Sequence, residues 1–327
     1  AYRAFGVFKS FVVGWCLAFG YIAISGFEAI SIGLVLSFLM PQIDRWPLYT
    51  FAGSTVYLSH LILAVVFTGA ITLIHAMGVK QAARLQNLLT MSFVLVCAIF
   101  IVAAFWVGNS QHWQPLWPEQ SVSAITVGFL SVLVTIPFWF VGFDTIPQAA
   151  EESSSSVSAR TLARLIVMSV IAATAFYVVL ILALSYAGPW QRTAAADLPA
   201  AKAIFFALNS TLMMNLVLIA ALIGLFTSWN GFFLASSRVL FALGRGRIIP
   251  EMFGRMDPNK GTPIEAILVT GLLTVLAPLM GRQTLLSLVN AGSLFISIAF
   301  FGVSMSVMHL RRTDPEAERP FRLAAGN

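Results

Sequence analysis

The stretch Ile136-Pro137-Phe138-Trp139-Phe140-Val141-Gly142-Phe143-Asp144-Thr145-Ile146-Pro147 lies within a long apolar run, yet it resists a continuous helix. Each proline removes a backbone donor and crowds the preceding turn, and Gly142 and Asp144 weaken the helix between them. Irregular backbone at membrane depth is tolerated only where it packs within protein or lines a cavity. Broken helices of this kind form substrate and ion sites in secondary transporters, because helix ends and backbone groups there bind charge. A plain proline kink is the simpler alternative. The acid at Asp144 and the aromatic run Phe138, Trp139 and Phe140 favour a site.

The rest of the chain supplies the membrane context. Of 327 residues, 59% are hydrophobic and 10% charged, and the mean hydropathy is +0.88. Soluble domains carry about 25% charged residues, so an ordinary soluble enzyme is excluded, as is a disordered chain. Eight apolar stretches predict transmembrane helices at about 11–40, 50–76, 88–107, 124–150, 163–187, 211–243, 263–280 and 284–309, each near the roughly 20 residues a span requires. None alternates as barrel strands do. The first and sixth, at about thirty residues or roughly 45 Å, should tilt or protrude. The fold class is therefore an all-α polytopic membrane protein.

Orientation follows from the basic residues. The 19 Lys and Arg divide fifteen to four between alternate sides, the minority being Arg45, Arg192, Lys202 and Arg282. The positive-inside rule then puts both ends of the chain in the cytoplasm. Trp46, Trp113, Trp117 and Trp190 fall in the outer loops, as an interfacial belt would. The net charge of +6 is spread between apolar runs and forms no basic face, so nucleic acid is not a partner. The partner is the lipid bilayer. Glu151-Glu152-Ser153-Ser154-Ser155-Ser156 predicts a flexible loop with capping serines. Residues 311–327 read as a cytoplasmic linker, and residues 1–10 as the tail of a loop. The chain opens with Ala1 and shows no signal peptide, which suggests a segment of a longer polytopic protein.

Enzymatic chemistry finds no support in the motifs. His60, His75, His112 and His309 lack metal-ligand spacing and read as interfacial or helix-end residues. No nucleophile elbow or Cys/His pairing occurs. Cys16 and Cys97 read as small core residues. Gly244-Arg245-Gly246-Arg247 lacks the ending and context of a phosphate loop. No metal or other cofactor is called for.

Two acids fall within spans, Glu28 and Asp144. Each costs about 2.5–3.5 kcal/mol at mid-membrane on the insertion scale, which makes a pathway or coupling role the default for Glu28. Tyr21, Ser25 and Glu28 share one helical face. Thr227, Ser228, Trp229 and Asn230 form a polar cluster on the sixth span. Thr227 and Ser228 could coordinate Na⁺, although bonding between helices is the commoner use of such groups, and Asn290 and Ser293 are weighed alike.

Three stretches carry a resemblance to the amino acid–polyamine–organocation transporter superfamily, and within it to the bacterial amino acid permeases. Phe140-Val141-Gly142-Phe143-Asp144 with Ala149-Ala150-Glu151-Glu152 resembles the family's broken sixth helix. Ala235 to Arg245, with Ile249-Pro250 and Thr262-Pro263, is similar to its eighth-helix exit and the loop that follows. Leu310-Arg311-Arg312 and Arg319-Pro320-Phe321-Arg322 resemble the linker before its eleventh helix. The resemblance implies the five-plus-five inverted repeat, here truncated at both ends, with the eight spans standing for family helices three to ten.

It also implies roles. Phe138 matches an aromatic gate, and Phe140, Val141 and Gly142 match unwound backbone that meets the substrate's amino group. Tyr21, Ser25 and Glu28 face the substrate from the third family helix, where an acid is atypical. The implied function is a secondary active permease for amino acids or related amines in a bacterial cytoplasmic membrane, driven by a proton or, failing that, by sodium. Alternatives are a polyamine or organic-cation carrier or exchanger, and a non-transporting membrane sensor. The sequence fixes no oligomeric state.

Overall fold

A computed structural model describes residues 1–115, 121–148 and 158–317, with the side chains of residues 79 and 80 left aside. Trp117, the Glu151–Ser156 stretch and Arg319-Pro320-Phe321-Arg322 lie outside the described residues. The long helices are α1 (Tyr2–Leu39), α2 (Leu58–Met77), α3 (Val79–Val107), α4 (Val122–Phe140), α6 (Ala159–Ala187), α9 (Thr211–Arg245) and α11 (Leu285–Thr313). Among the described residues, seven helices are long and apolar enough to cross a membrane. The expected span at 263–280 is shorter: α10 (Ile264–Leu276) gives way to a 3₁₀ turn at Ala277–Met280. Pro278 lies in that turn and cannot continue the α-helical ladder.

Three boundaries differ from the sequence reading. Residues 50–57 belong to an antiparallel hairpin, β1 (Pro47–Phe51) and β2 (Ser54–Tyr57), and not to the second span. The two-residue corner Ala52-Gly53 has positive φ at both positions, 47° and 83°, the backbone that reverses a tight hairpin. Aromatic and β-branched residues on both strands favour the pairing. Residues 2–10 are helical, not a loop tail, with one interruption at Gly6, φ 77°. Residues 190–208 hold two short helices, α7 (Trp190–Ala194) and α8 (Pro199–Leu208). Ala201, Ala203 and Ile204 of α8 are buried, so an apparent loop is docked by small apolar side chains.

α1 is the axis of the bundle, packed along α9, α10 and α11. One core cluster joins Tyr21 and Ile24 of α1 to Phe138, Phe232, Val239 and Ile296. A second joins Ile32 to Ile71, Trp229, Phe233 and Ile267. A third, rich in alanine, holds α3, α6 and α8 together through Ala104, Ala183, Ala187 and Ala203. Small side chains allow such helices to approach closely, which matters where the outside is lipid and hydrophobic exclusion between helices is weak. Gly292 of α11 shows the same economy. A Cβ there would lie 2.7 Å from the ring of Phe138. The outward faces of α4 and α6 are exposed and apolar, with Leu130, Val134, Ile171 and Leu182 among their residues. A bilayer solvates such faces.

The helix ends are tied in pairs. At one end of the bundle the amide of Asn109 donates to the Tyr186 carbonyl at 3.0 Å, and the Tyr49 hydroxyl donates to the Leu279 carbonyl at 2.6 Å. At the other end Arg3 pairs with Asp314, joining the start of α1 to the end of α11. Ser158 caps α6, its hydroxyl accepting from the Thr161 amide at 3.2 Å.

Candidate substrate cavity

The break in the proline-flanked stretch lies at Val141–Asp144, between α4 and the short α5 (Thr145–Gln148). The Val141 amide closes the last turn on the Pro137 carbonyl at 3.2 Å. Gly142 then takes φ 135°, a conformation that a side chain strongly disfavours. Its amide donates to Asp144 Oδ1 at 2.9 Å. Its carbonyl accepts from the Thr145 hydroxyl at 2.6 Å and from the Thr145 amide at 3.1 Å. The remaining Asp144 oxygen, Oδ2, accepts from the Tyr21 hydroxyl at 2.6 Å. Breaking a helix strands backbone groups, and here Asp144 and Thr145 satisfy them. Tyr177 adds a further tie, donating to the Trp139 carbonyl at 2.8 Å.

A cavity of about 550 Å³ opens beside this segment. α1 contributes Phe27, Glu28 and Ser31 to it, while α4 and the break contribute Phe138, Trp139 and Val141. Tyr177, Ser228 and Phe232 line it from α6 and α9, and Asp197 from the α7–α8 corner. Phe27 meets Phe138 edge-on, with ring centroids 5.4 Å apart. Glu28 is 5% exposed. Ser228 lines the same cavity, and the carboxyl oxygen Oε2 is buried with no hydrogen-bond partner among the described residues. A buried carboxyl oxygen left unpaired is costly unless something else is to meet it.

Most of the residues singled out in the sequence fall into two groups. Glu28, Phe138, Val141 and Ser228 line the cavity. Tyr21, Gly142 and Asp144 form the hydrogen-bonded support of the break. Ser25 and Thr227 turn inward on their own helices, donating to the carbonyls of Tyr21 at 3.1 Å and Ile223 at 2.9 Å. Phe140 faces Tyr177, with centroids 5.3 Å apart. Sequence reasoning missed Ser31, Tyr177 and Asp197. Ser31 was within reach, since it lies three residues beyond Glu28 on the same helix face.

Asn230 lies outside the cavity and joins three helices. Its amide nitrogen donates to the Ala82 carbonyl at 3.3 Å and to Gln86 Oε1 at 2.8 Å. Its amide oxygen pairs with His75 Nε2 at 3.0 Å. His75 is in the last turn of α2 and 1% exposed, so of the two readings it is the helix-end residue, buried in the bundle. Cys16 and Cys97 are free and buried. Ser293 reaches from α11 to the Thr135 carbonyl at 3.4 Å.

Comparison with known proteins agrees with this architecture. The amino acid permease family model matches residues 1–326. Among curated relatives, the branched-chain amino acid permease BcaP of Bacillus subtilis is 27% identical over 98% of this chain and 68% of its own length. The methylthioribose transporter of the same organism is 25% identical over 99% of this chain and 68% of its own. The aromatic amino acid transport protein AroP of Escherichia coli K12 is 24% identical over 97% and 67%. The chain therefore spans about two thirds of the length of these relatives. The chain belongs to the amino acid permease family of transporters.

Proposed function

We propose that the protein is a secondary active permease that carries amino acids or related amines across a cytoplasmic membrane by alternating access, with a proton as the coupling ion. The observation that carries this reading is Glu28, an acid buried in mid-helix, lining the cavity, with one oxygen unpaired. A carboxyl in a transport pathway can take a proton from one side and release it to the other, and that links proton flux to substrate flux. Phe138 and Trp139 line the cavity with it, and the break at Val141–Asp144 supplies a joint about which α4 and α5 can rearrange.

Sodium is the weaker choice of coupling ion. Thr227 does not line the cavity, which leaves Ser228 alone of the two hydroxyls there. The fifteen-to-four division of basic residues supports a cytoplasmic position for the Arg3–Asp314 end of the bundle. Vesicles containing the purified protein test the coupling. An imposed proton gradient should drive accumulation of a labelled amino acid or amine in sodium-free buffer. Accumulation that requires a sodium gradient and ignores the proton gradient would overturn it.

A further inference from the structure

We infer that Asp197 is a specificity residue at the mouth of the cavity, selecting substrates that carry a net positive charge on an apolar body. This rests on the permease reading above and names the class of molecule that the site takes.

The cavity holds two acids, Glu28 and Asp197, and no Lys, Arg or His among its described lining residues. Asp197 is solvent-exposed and sits in the corner between α7 and α8. It makes no hydrogen bond or ion pair among the described residues, and it does not cap α8, whose N-cap is Leu198 without a side-chain bond. The corner itself is anchored: Leu198 packs with Val35 and Leu218, and Thr193 of α7 is 3% exposed. Asp197 is therefore an acid held at the rim by a docked segment, with its charge left over.

Glu28 lies deep and Asp197 lies at the rim, so the rim carries a fixed negative charge and the deep end an acid that can hold or release a proton. The wall between them is aromatic, with Phe27, Phe138, Trp139 and Tyr177. Aromatic faces attract cations and exclude water, and a low-dielectric cleft lined by one sign of charge concentrates the opposite sign. An anionic molecule would meet the Asp197 carboxylate at the rim and no counter-charge among the described lining residues. A zwitterion would gain at its ammonium and lose at its carboxylate. An amine with an apolar body gains at both.

Three probes with the same phenylethyl body separate these cases: phenethylamine, phenylalanine and 3-phenylpropionate. Binding to the purified protein is measured by titration calorimetry at low and high salt. Phenethylamine should bind at least about ten-fold more tightly than 3-phenylpropionate, with phenylalanine between them. Asp197→Asn should weaken phenethylamine about two- to five-fold at low salt, with the loss shrinking at high salt, and leave 3-phenylpropionate no weaker. Asp197→Glu should behave as wild type, which separates charge from local folding.

Equal binding of all three probes, or binding of none, would overturn the inference. So would an Asp197→Asn protein with unchanged phenethylamine affinity and salt dependence, or one weakened alike for every probe. The permease reading fails by a different readout, an absence of accumulation in vesicles of any amine or amino acid that binds.

Discussion

The hydroxyl of Tyr21 on α1 donates to Asp144 at 2.6 Å, so the bundle's central helix is fastened to the break between α4 and α5. Both residues are buried, Tyr21 at 0% and Asp144 at 9% exposure. The same carboxyl receives the Gly142 amide. One side chain thus fixes the local path of the broken segment and its position against α1. The cavity wall formed by Phe138 and Val141 on one side and Glu28 on the other depends on that registration.

Removing the tie should therefore cost stability. Tyr21→Phe keeps the ring, which packs 5.7 Å from Phe232, but leaves a buried carboxyl oxygen without its donor. The expected loss is about 1–3 kcal/mol, read as a lower unfolding temperature in detergent. An unchanged melting curve would mean that Asp144 finds another partner, and that the tie does not hold the break in place.

Backbone conformation gives an independent check on the break. Gly142 adopts φ 135° and has only the Phe232 ring near a would-be Cβ, at 3.8 Å. Strain and not collision is the penalty for a side chain there. Gly142→Ala should destabilise by about 1–3 kcal/mol, whereas Gly128→Ala in the middle of α4, with nothing near its Cβ, should be neutral or stabilising. Equal effects at the two positions would contradict the described path of residues 141–144.

Seven of the eight apolar stretches, and the break, were legible because membrane helices are written in long apolar runs and prolines punctuate them strongly. Glu28 stood out for the same reason, as a charge where charge is expensive. The hairpin at 47–57 was not legible: its Thr, Val and Tyr residues extend the apolar run of α2, and only the positive φ of Ala52 and Gly53 shows the turn. Asp197 was hidden in a polar corner, because its relation to the cavity comes from the docking of α7 and α8, a tertiary effect. The separation of Tyr21 from Glu28 also lies beyond helical periodicity. They share a face of α1, yet one meets Asp144 and the other lines the cavity, because different helices cover the two heights.

Asn230 gives a prediction away from the cavity. Its loss leaves His75 Nε2 and Gln86 Oε1 without their partner in the bundle. Asn230→Ala should cost about 2 kcal/mol or more in detergent unfolding, while Asn290→Ala at an exposed position of α11 should stay within about 0.5 kcal/mol. Comparable effects would show that the three-helix link carries no stability.

Orientation can be read by labelling. In a background with both native cysteines replaced, Arg192→Cys should react with an impermeant thiol reagent added outside intact cells, and Met256→Cys should react only after permeabilisation. Met256 is 49% exposed, so its silence would reflect sidedness and not burial. The reverse pattern would overturn the orientation drawn from the basic residues.

The most direct test of the central claim is uptake by Glu28→Gln protein in vesicles with an imposed proton gradient. Glutamine keeps the shape of the side chain and removes its ability to carry a proton. The variant should still exchange substrate across the membrane but no longer accumulate it when driven by pH. Accumulation, affinity and pH dependence equal to wild type would contradict the assignment of Glu28 as the coupling acid.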